Sequence, residues 1–410
     1  MVQVFRIELF YTLVIMLGSI TFGHVMAYYS PAEKGISHDL NLSKSQKTIF
    51  NCLAPVGAIF GGAFMNIFTN RFGRKIPLFI TAIISLISWV LIGISKVHFY
   101  WVSFIGRCIS GISIGCFSQI CPMFITELAP DELRGAFGAM NQLGITIGAC
   151  LTYFWGIFFE WRIIAFISLI PSFILIIFIW FVIESPSFLQ QINEYENISS
   201  NQPKEKLFQR KFIKPIFISF LLMFFQQFSG VNALLSNLER IFQDSGSHLK
   251  PSIDSFLVGL AGVFSTAIST ILVEKIGRRL SWLISSISQF LLMLLVIINK
   301  YLDISPYITL FCLFGYNFSF GLGLGPIPWF YIPEFFPDSV RSLICSIMTA
   351  INWIFVTFVM LIWPYMKEII SYIFYTIVIF CSCLYGIFIL KETKGTKMGE
   401  NINEILITTE

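Results

Sequence analysis

The sequence predicts an all-α membrane protein of twelve spanning helices in two six-helix halves, and three observations predict it. Of 410 residues 56% are hydrophobic, 17% aromatic and only 12% charged, with a mean hydropathy of +0.78. The apolar residues gather into twelve runs, most close to the about 20 residues a helix needs to cross a bilayer. The charged motifs come in pairs, half a chain apart. Soluble chains carry roughly 25% charged residues, and a water-soluble chain this apolar would expose patches that aggregate. Helix is the remaining choice in lipid, because an open strand edge cannot sit in hydrocarbon and a barrel would alternate polar with apolar residues.

Cutting the chain at charged and turn-forming clusters places the runs near 9–29, 47–69, 76–95, 99–126, 136–158, 162–183, 215–235, 253–273, 280–298, 306–331, 342–363 and 368–390. The first run has the apolar stretch of a signal peptide without a small-residue cleavage site, so it is expected to stay as a span. The longest hydrophilic interruption, 190–214, splits the chain into an N-terminal half (1–189), a linker (190–214) and a C-terminal half (215–410). The nine cysteines, most of them inside apolar runs, are read as membrane-buried thiols without a disulfide framework or metal spacing.

Basic residues set the expected orientation. Arg71, Arg74 and Lys75 follow span 2, Arg134 follows span 4, five lysines and arginines fill the linker, and Lys275, Arg278, Arg279 and Arg341 follow spans 8 and 10. By the positive-inside rule both termini and the linker are expected in the cytoplasm, in a multi-pass protein of the plasma membrane. The sequon at Asn41 then falls outside and the one at Asn197 inside. The net charge of +4 comes without a basic stripe interleaved with aromatics, so no nucleic-acid partner is expected.

A repeat search is the most productive step. Glu-Leu-Ala-Pro-Asp-Glu-Leu-Arg at 127–134 recurs as Glu-Phe-Phe-Pro-Asp-Ser-Val-Arg at 334–341, and Arg-Phe-Gly-Arg-Lys at 71–75 recurs as Lys-Ile-Gly-Arg-Arg at 275–279. Glu184 similarly has a counterpart in Glu392. Each pair sits at the same end of the same span in its half. The halves are therefore parallel repeats, an architecture of secondary transporters that places a substrate between the halves near mid-membrane. Arg74, Lys75, Glu127, Arg134 and Glu184, with Glu274, Arg278, Arg279, Glu334, Arg341 and Glu392, form a duplicated charge set. Single surface pairs are worth about 0–1 kcal/mol, which suits a latch between halves that must release in each cycle.

Polar side chains inside spans need partners or a cavity. Span 7 carries Gln226, Gln227, Ser229 and Asn232; span 5 carries Asn141 and Gln142; span 10 carries Trp329; span 11 carries Asn352 and Trp353. Gln226, Gln227 and Asn232 cannot share one face of a straight helix, but an interruption at Ser229-Gly230 lets them converge. Amides beside aromatic faces suit a neutral polyol, with donor and acceptor pairs for hydroxyls and a flat plate for sugar C–H faces. The rival reading is interhelical amide glue. In span 10, Gly321, Gly323, Gly325, Pro326 and Pro328 predict a break at mid-depth, whereas the glycines of spans 2 and 4 read as ordinary helix contacts. No carboxylate is expected at mid-span, with Glu33, Asp39, Glu160, Asp254 and Asp303 at outer ends and the other acids on the cytoplasmic side. His24 in span 1 is the one titratable candidate there, and a lone histidine in a span is more often packing.

These residues, taken in order, resemble the sugar porter branch of the major facilitator superfamily over nearly the whole chain. The motifs are Asn70-Arg71-Phe72-Gly73-Arg74-Lys75, Gly106-Arg107, the Glu127 and Glu184 motifs, Gln142-Leu143-Gly144, Gln226-Gln227-Phe228-Ser229-Gly230-Val231-Asn232, Gly325-Pro326-Ile327-Pro328-Trp329, Asn352-Trp353 and the Glu392 motif. The resemblance implies that Gln142, Gln226, Gln227, Asn232 and Trp329, with Asn352 and Trp353, contact a hexose such as glucose. Departures stand at Asn70, where the family has Asp, at Ser236-Asn237, where it has a gating aromatic pair, at Gly262, where it has a sugar-binding Asn, and at Val25, where symporting members carry Asp. The expectation is alternating-access transport of a small neutral sugar by facilitated diffusion, without cofactor, metal or catalysis. The alternatives are proton symport through His24 and a non-transporting sugar sensor, the latter disfavoured by the short stretch after Glu392.

Overall fold

A computed structural model describes residues 2–130, 133–190, 209–245 and 249–394. Most of the linker, the sequon at Asn197 and the last residues lie outside the described residues. The helices run α1 (Val2–Ala27), α2 (Tyr29–Asp39), α3 (Lys44–Phe72), α4 (Lys75–Ile94), α5 (Trp101–Leu128), α6 (Arg134–Phe158), α7 (Trp161–Ile167), α8 (Ile170–Phe178), α9 (Arg210–Phe228), α10 (Val231–Ser236), α11 (Leu238–Ser245), α12 (Pro251–Ile276), α13 (Arg278–Leu302), α14 (Pro306–Leu322), α15 (Ile327–Phe335), α16 (Asp338–Ile362) and α17 (Glu368–Phe388). No strand occurs among the described residues.

Among the described residues eleven segments are long and apolar enough to cross a membrane. The twelfth span is α6, long enough at 25 residues but diluted by Asn141, Gln142 and several glycines. Three of the eleven are built from two helices each, at 161–181, 210–236 and 306–333. Large apolar side chains such as Phe60, Ile67, Phe173, Phe264 and Phe311 stand exposed on the outside of the bundle. Water would penalise that surface, whereas lipid solvates it.

Local chemistry sets the element ends. Ser43 and Gln46 close a capping box on α3, which satisfies two of its orphan donors. Ser305 caps α14, with Pro306 at its first position. At the far ends of α3 and α12 the chain turns at Gly73 (φ 80°) and Gly277 (φ 90°), a left-handed geometry that other residues enter at a cost.

Within the N-terminal half α5 packs on α3, α4 and α1; in the C-terminal half α14 packs on α12 and α13, and α13 on α17. The halves meet along α6 against α12 and α3 against α16. Close backbone approach sets the contact of α5 with α3: a Cβ on Gly57 would lie 2.2 Å from the carbonyl oxygen of Cys108, and one on Gly111 would lie 2.1 Å from that of Ala54. Small residues there let the helices gain dispersion contacts in lipid, where burial from water contributes nothing. The glycines of spans 2 and 4 are thus packing residues.

Candidate functional site

The span 7 amides converge because the helix breaks where expected. α9 stops at Phe228, Gly230 takes φ 91°, and α10 restarts at Val231. A Cβ on Gly230 would sit 2.5 Å from the Tyr375 ring, so glycine is required there for space as well as for conformation. The Tyr316 hydroxyl donates to the Ser229 carbonyl at 2.8 Å and holds the break.

Span 10 breaks beside it. Between α14 and α15 the turn over 323–326 leaves backbone groups without helical partners, and serines take them up. Ser269 Oγ donates to the Leu322 carbonyl at 3.1 Å, the Leu324 N–H donates to Ser285 Oγ at 3.1 Å, and Ser285 Oγ donates to the Ser319 carbonyl at 2.6 Å. Irregular backbone at membrane depth persists only where such partners or a cavity exist.

Across these two breaks lies an amide cluster. Gln226 Nε2 donates to the Gly325 carbonyl at 2.7 Å. Gln226 Oε1 accepts from Asn352 Nδ2 at 2.9 Å and from Gln227 Nε2 at 3.3 Å. Gln227 Nε2 also reaches Asn352 Oδ1 at 3.2 Å, and Asn232 Nδ2 donates to Gln227 Oε1 at 2.5 Å. Four of the seven expected sugar contacts therefore form one hydrogen-bonded group joining α9, α10, α16 and the span 10 break. Trp329 stands partly buried one turn beyond Gly325. Gln142 is buried on α6, and no hydrogen bond recorded among the described residues joins it to the cluster. Trp353 is turned toward the other half, where its Nε1 donates to Ser118 Oγ at 3.1 Å and its ring lies 5.4 Å from that of Phe22.

The duplicated charges repeat in geometry as well as in sequence. In the N-terminal half the Glu184 carboxylate accepts from the Arg74 and Lys75 backbone N–H groups at 2.9 and 3.2 Å, capping α4. In the C-terminal half Glu392 accepts from the Arg278 and Arg279 N–H groups at 2.9 and 3.1 Å, capping α13. A carboxylate at a helix N-terminus satisfies orphan donors and meets the positive end of the macrodipole. The paired glycines make room for it: a Cβ on Gly73 would lie 2.5 Å from Glu184 Oε2, and one on Gly277 2.2 Å from Glu392 Oε2.

Arg74 also forks onto Glu127, with Nε to Oε2 at 2.9 Å and Nη2 to Oε1 at 2.7 Å, and Ser185 Oγ donates to Glu127 at 2.5 Å. Arg278 meets Glu274 at 3.6 Å, and Arg341 Nε donates to the Pro333 and Phe336 carbonyls at 3.1 and 3.0 Å. These bonds brace each half internally. The halves touch at this end where Glu274 and Arg278 lie over Gly135, and where Ser342 bonds Asn66. Asn70 donates to Asn66 of its own helix at 3.0 Å. The side chains of Arg134 and Glu334 lie outside the described residues.

At the opposite end Asp39 accepts from Arg162 (2.5 Å) and Trp161 (3.0 Å). Partial burial alone would raise its pKa, but the hydrogen bonds of Trp161, His38 and Arg162, with the charge of Arg162, hold it below the usual carboxylate range. His24 Nδ1 bonds the Ile20 carbonyl of its own helix at 2.9 Å, a packing arrangement. Arg107, buried in α5, donates to the Val25 carbonyl at 2.7 Å, the position where symporting members carry Asp. One expectation is corrected: the acids beyond those named were assigned to the charged-motif side, yet Glu239 on α11 lies at the opposite end, its N–H donating to Ser30 Oγ of α2 at 3.3 Å. Sequence reading passed over it because α11 follows the end of span 7 and looks like loop.

Comparison with known proteins agrees with this architecture. The family model described as sugar (and other) transporter matches residues 11–201 and 190–406. Sugar transporter ERD6-like 6 of Arabidopsis thaliana is 32% identical over 384 residues, covering 84% of this chain and 78% of the relative. The facilitated trehalose transporter Tret1 of Bombyx mori is 28% identical over 430 residues, covering 94% and 84%. Among solved structures, the major facilitator superfamily proton:xylose symporter XylE bound to 6-bromo-6-deoxy-D-glucose superposes with a TM-score of 0.86 at 24% identity, covering 97% of this chain and 98% of that one. XylE from E. coli in a partially occluded inward-open conformation gives 0.79 at 25% identity, covering 95% and 99%. The chain has the fold of that major facilitator symporter and belongs to the sugar transporter family, and its work is sugar transport across a membrane rather than catalysis.

Proposed function

We propose that the protein carries a monosaccharide, a hexose such as glucose, down its gradient by alternating access of one site between the halves. The observation that carries this reading is the cluster of Gln226, Gln227, Asn232 and Asn352 at the two helix breaks. Each amide offers both donors and an acceptor, so hydroxyls can replace the present amide–amide bonds one for one. Gln142, Trp329 and Trp353 are proposed as further walls of the site. The duplicated charges are proposed as the element that biases the two ends between open and closed, through the contact of Glu274 and Arg278 with α6. By the positive-inside rule that end faces the cytoplasm, with both termini, in the plasma membrane. The division into halves at 189 and 215 is part of the same reading.

Facilitated diffusion is favoured over symport by the surroundings of Arg107, whose electrostatic neighbours are Tyr28, Tyr29 and Cys52 and whose contact at position 25 is a backbone carbonyl. Among the described residues no carboxylate stands there to take a proton during the cycle. The trehalose relative in Bombyx mori is likewise described as facilitated, which adds disaccharides to the panel worth testing. Proteoliposomes should take up labelled hexose to the same extent with or without an inward proton gradient. Accumulation above equilibrium that requires the proton gradient would establish symport instead.

A further inference from the structure

We propose that Glu239 is a proton-binding group of the gate opposite the charged motifs, taking up a proton when that end closes and releasing it to the same side when it opens. The inference rests on the alternating-access reading, and on four observations. Glu239 belongs to the C-terminal half but packs against the N-terminal half, with its backbone bonded to Ser30 of α2. Beneath it the Tyr153 hydroxyl of α6 donates to the Leu235 carbonyl at 2.9 Å, so this is a seam where the halves touch. The carboxylate lies against α6 as well, with Oε1 3.8 Å from where a Cβ on Gly156 would stand, and Gly156 itself is closely approached by Pro31 of α2, 2.5 Å from the same point. The neighbouring positions Ser236 and Asn237 are small and polar, bonded to the Asn232 and Ala233 carbonyls.

The charged and titratable neighbours come from each packed element. α2 presents Glu33, Lys34 and Tyr29; α6 presents Tyr153; α12 carries Asp254 in its first turn; α14 and α10 hold no Asp, Glu, Lys, Arg or His; and on its own helix Arg240 stands 3.8 Å from Asp244. Burial at the seam pushes Glu239 from the ordinary 4.5 up to about 7, with Lys34 pulling it down and Glu33 pushing it up. When α11 leaves α2 the carboxylate meets water and returns toward the ordinary value. The closed gate therefore binds the proton more tightly than the open gate, and by linkage the proton favours closure. The effect operates between about 4.5 and about 7: closure gains as pH falls through this window, and above it both states are ionised and the burial penalty on the closed gate is constant. The proton enters and leaves on one side, so sugar flux carries no net proton.

The test combines an equilibrium exchange assay with infrared titration of the reconstituted protein, at equal pH on both sides of the membrane. Wild-type exchange should slow several-fold from pH 8 to pH 5, with Glu239→Gln nearly flat over that range. Lys34→Ala should move the midpoint up and Glu33→Gln should move it down. The infrared band of a protonated carboxyl that titrates near neutrality should vanish in Glu239→Gln. An unchanged pH profile in Glu239→Gln, or an unchanged band, overturns the inference. Absence of exchange for every sugar, with the band lost in Glu239→Gln, sinks the transport reading and supports proton binding at Glu239.

Discussion

Changing Gln226 to leucine should weaken sugar binding by about 10- to 100-fold, the loss expected when one or two hydrogen bonds of a buried network disappear. Gln226 is the hub of the amide cluster, giving a bond to the Gly325 carbonyl and taking bonds from Asn352 and Gln227. Leucine keeps the bulk but leaves that carbonyl without its donor and takes one acceptor from the amides of Asn352 and Gln227, so the site loses its geometry as well as one contact. Asn352→Leu should have a similar effect. Because the two share bonds, the double variant should lose much less than the two separate losses together. Binding of labelled sugar to purified variants reads all three. Additive losses would mean that the two side chains act independently and that the cluster is glue between helices.

The second large effect is expected at Arg74. Its guanidinium is 3% exposed and forked onto a Glu127 carboxylate that is 15% exposed. Removing one partner of a buried pair costs about 3–5 kcal/mol, and Arg74→Ala should fall at the low end because Ser185 still serves Glu127. Arg278, the repeat partner of Arg74, gives a contrast through a different acid, Glu274. Glu274 is 31% exposed and 3.6 Å from Arg278, so that ion pair contributes about 0–1 kcal/mol. Thermal unfolding in detergent should therefore show a large drop for Arg74→Ala and a small one for Glu274→Gln, although Glu274→Gln should alter exchange kinetics if its contact with α6 biases the closed end. Equal destabilisation by the two would refute the distinction between bracing pairs within a half and a contact between halves.

Most of the fold was legible because lipid leaves the chain few options. Twelve apolar runs and the duplicated 71–75 and 275–279 motifs led to two parallel halves, and the structure repeats even the carboxylate caps of Glu184 and Glu392. The two breaks were legible for a local reason, since Gly230 and the 323–328 glycines and prolines cannot continue a helix. The partners of the broken backbone were not, because Ser269 and Ser285 are ordinary serines until the fold brings them to Leu322 and Leu324. The candidate site divided the same way. The span 7 amides converge on Asn352 as the break requires, whereas Trp353 follows Asn352 in the chain but points 100° away around α16, toward Ser118 of the other half. Glu239 escaped because a carboxylate just past a span looks solvated until the opposing half, here Ser30, Tyr153 and Gly156, covers it.

Counterflow tests the central claim most directly. Vesicles containing the protein are loaded with unlabelled hexose and diluted into a trace of labelled hexose, with no proton gradient. A carrier whose single site alternates between sides should produce a transient overshoot of internal label that decays to equilibrium, and Gln226→Leu should abolish it. Label that rises monotonically to equilibrium, or fails to enter at all, would contradict the account.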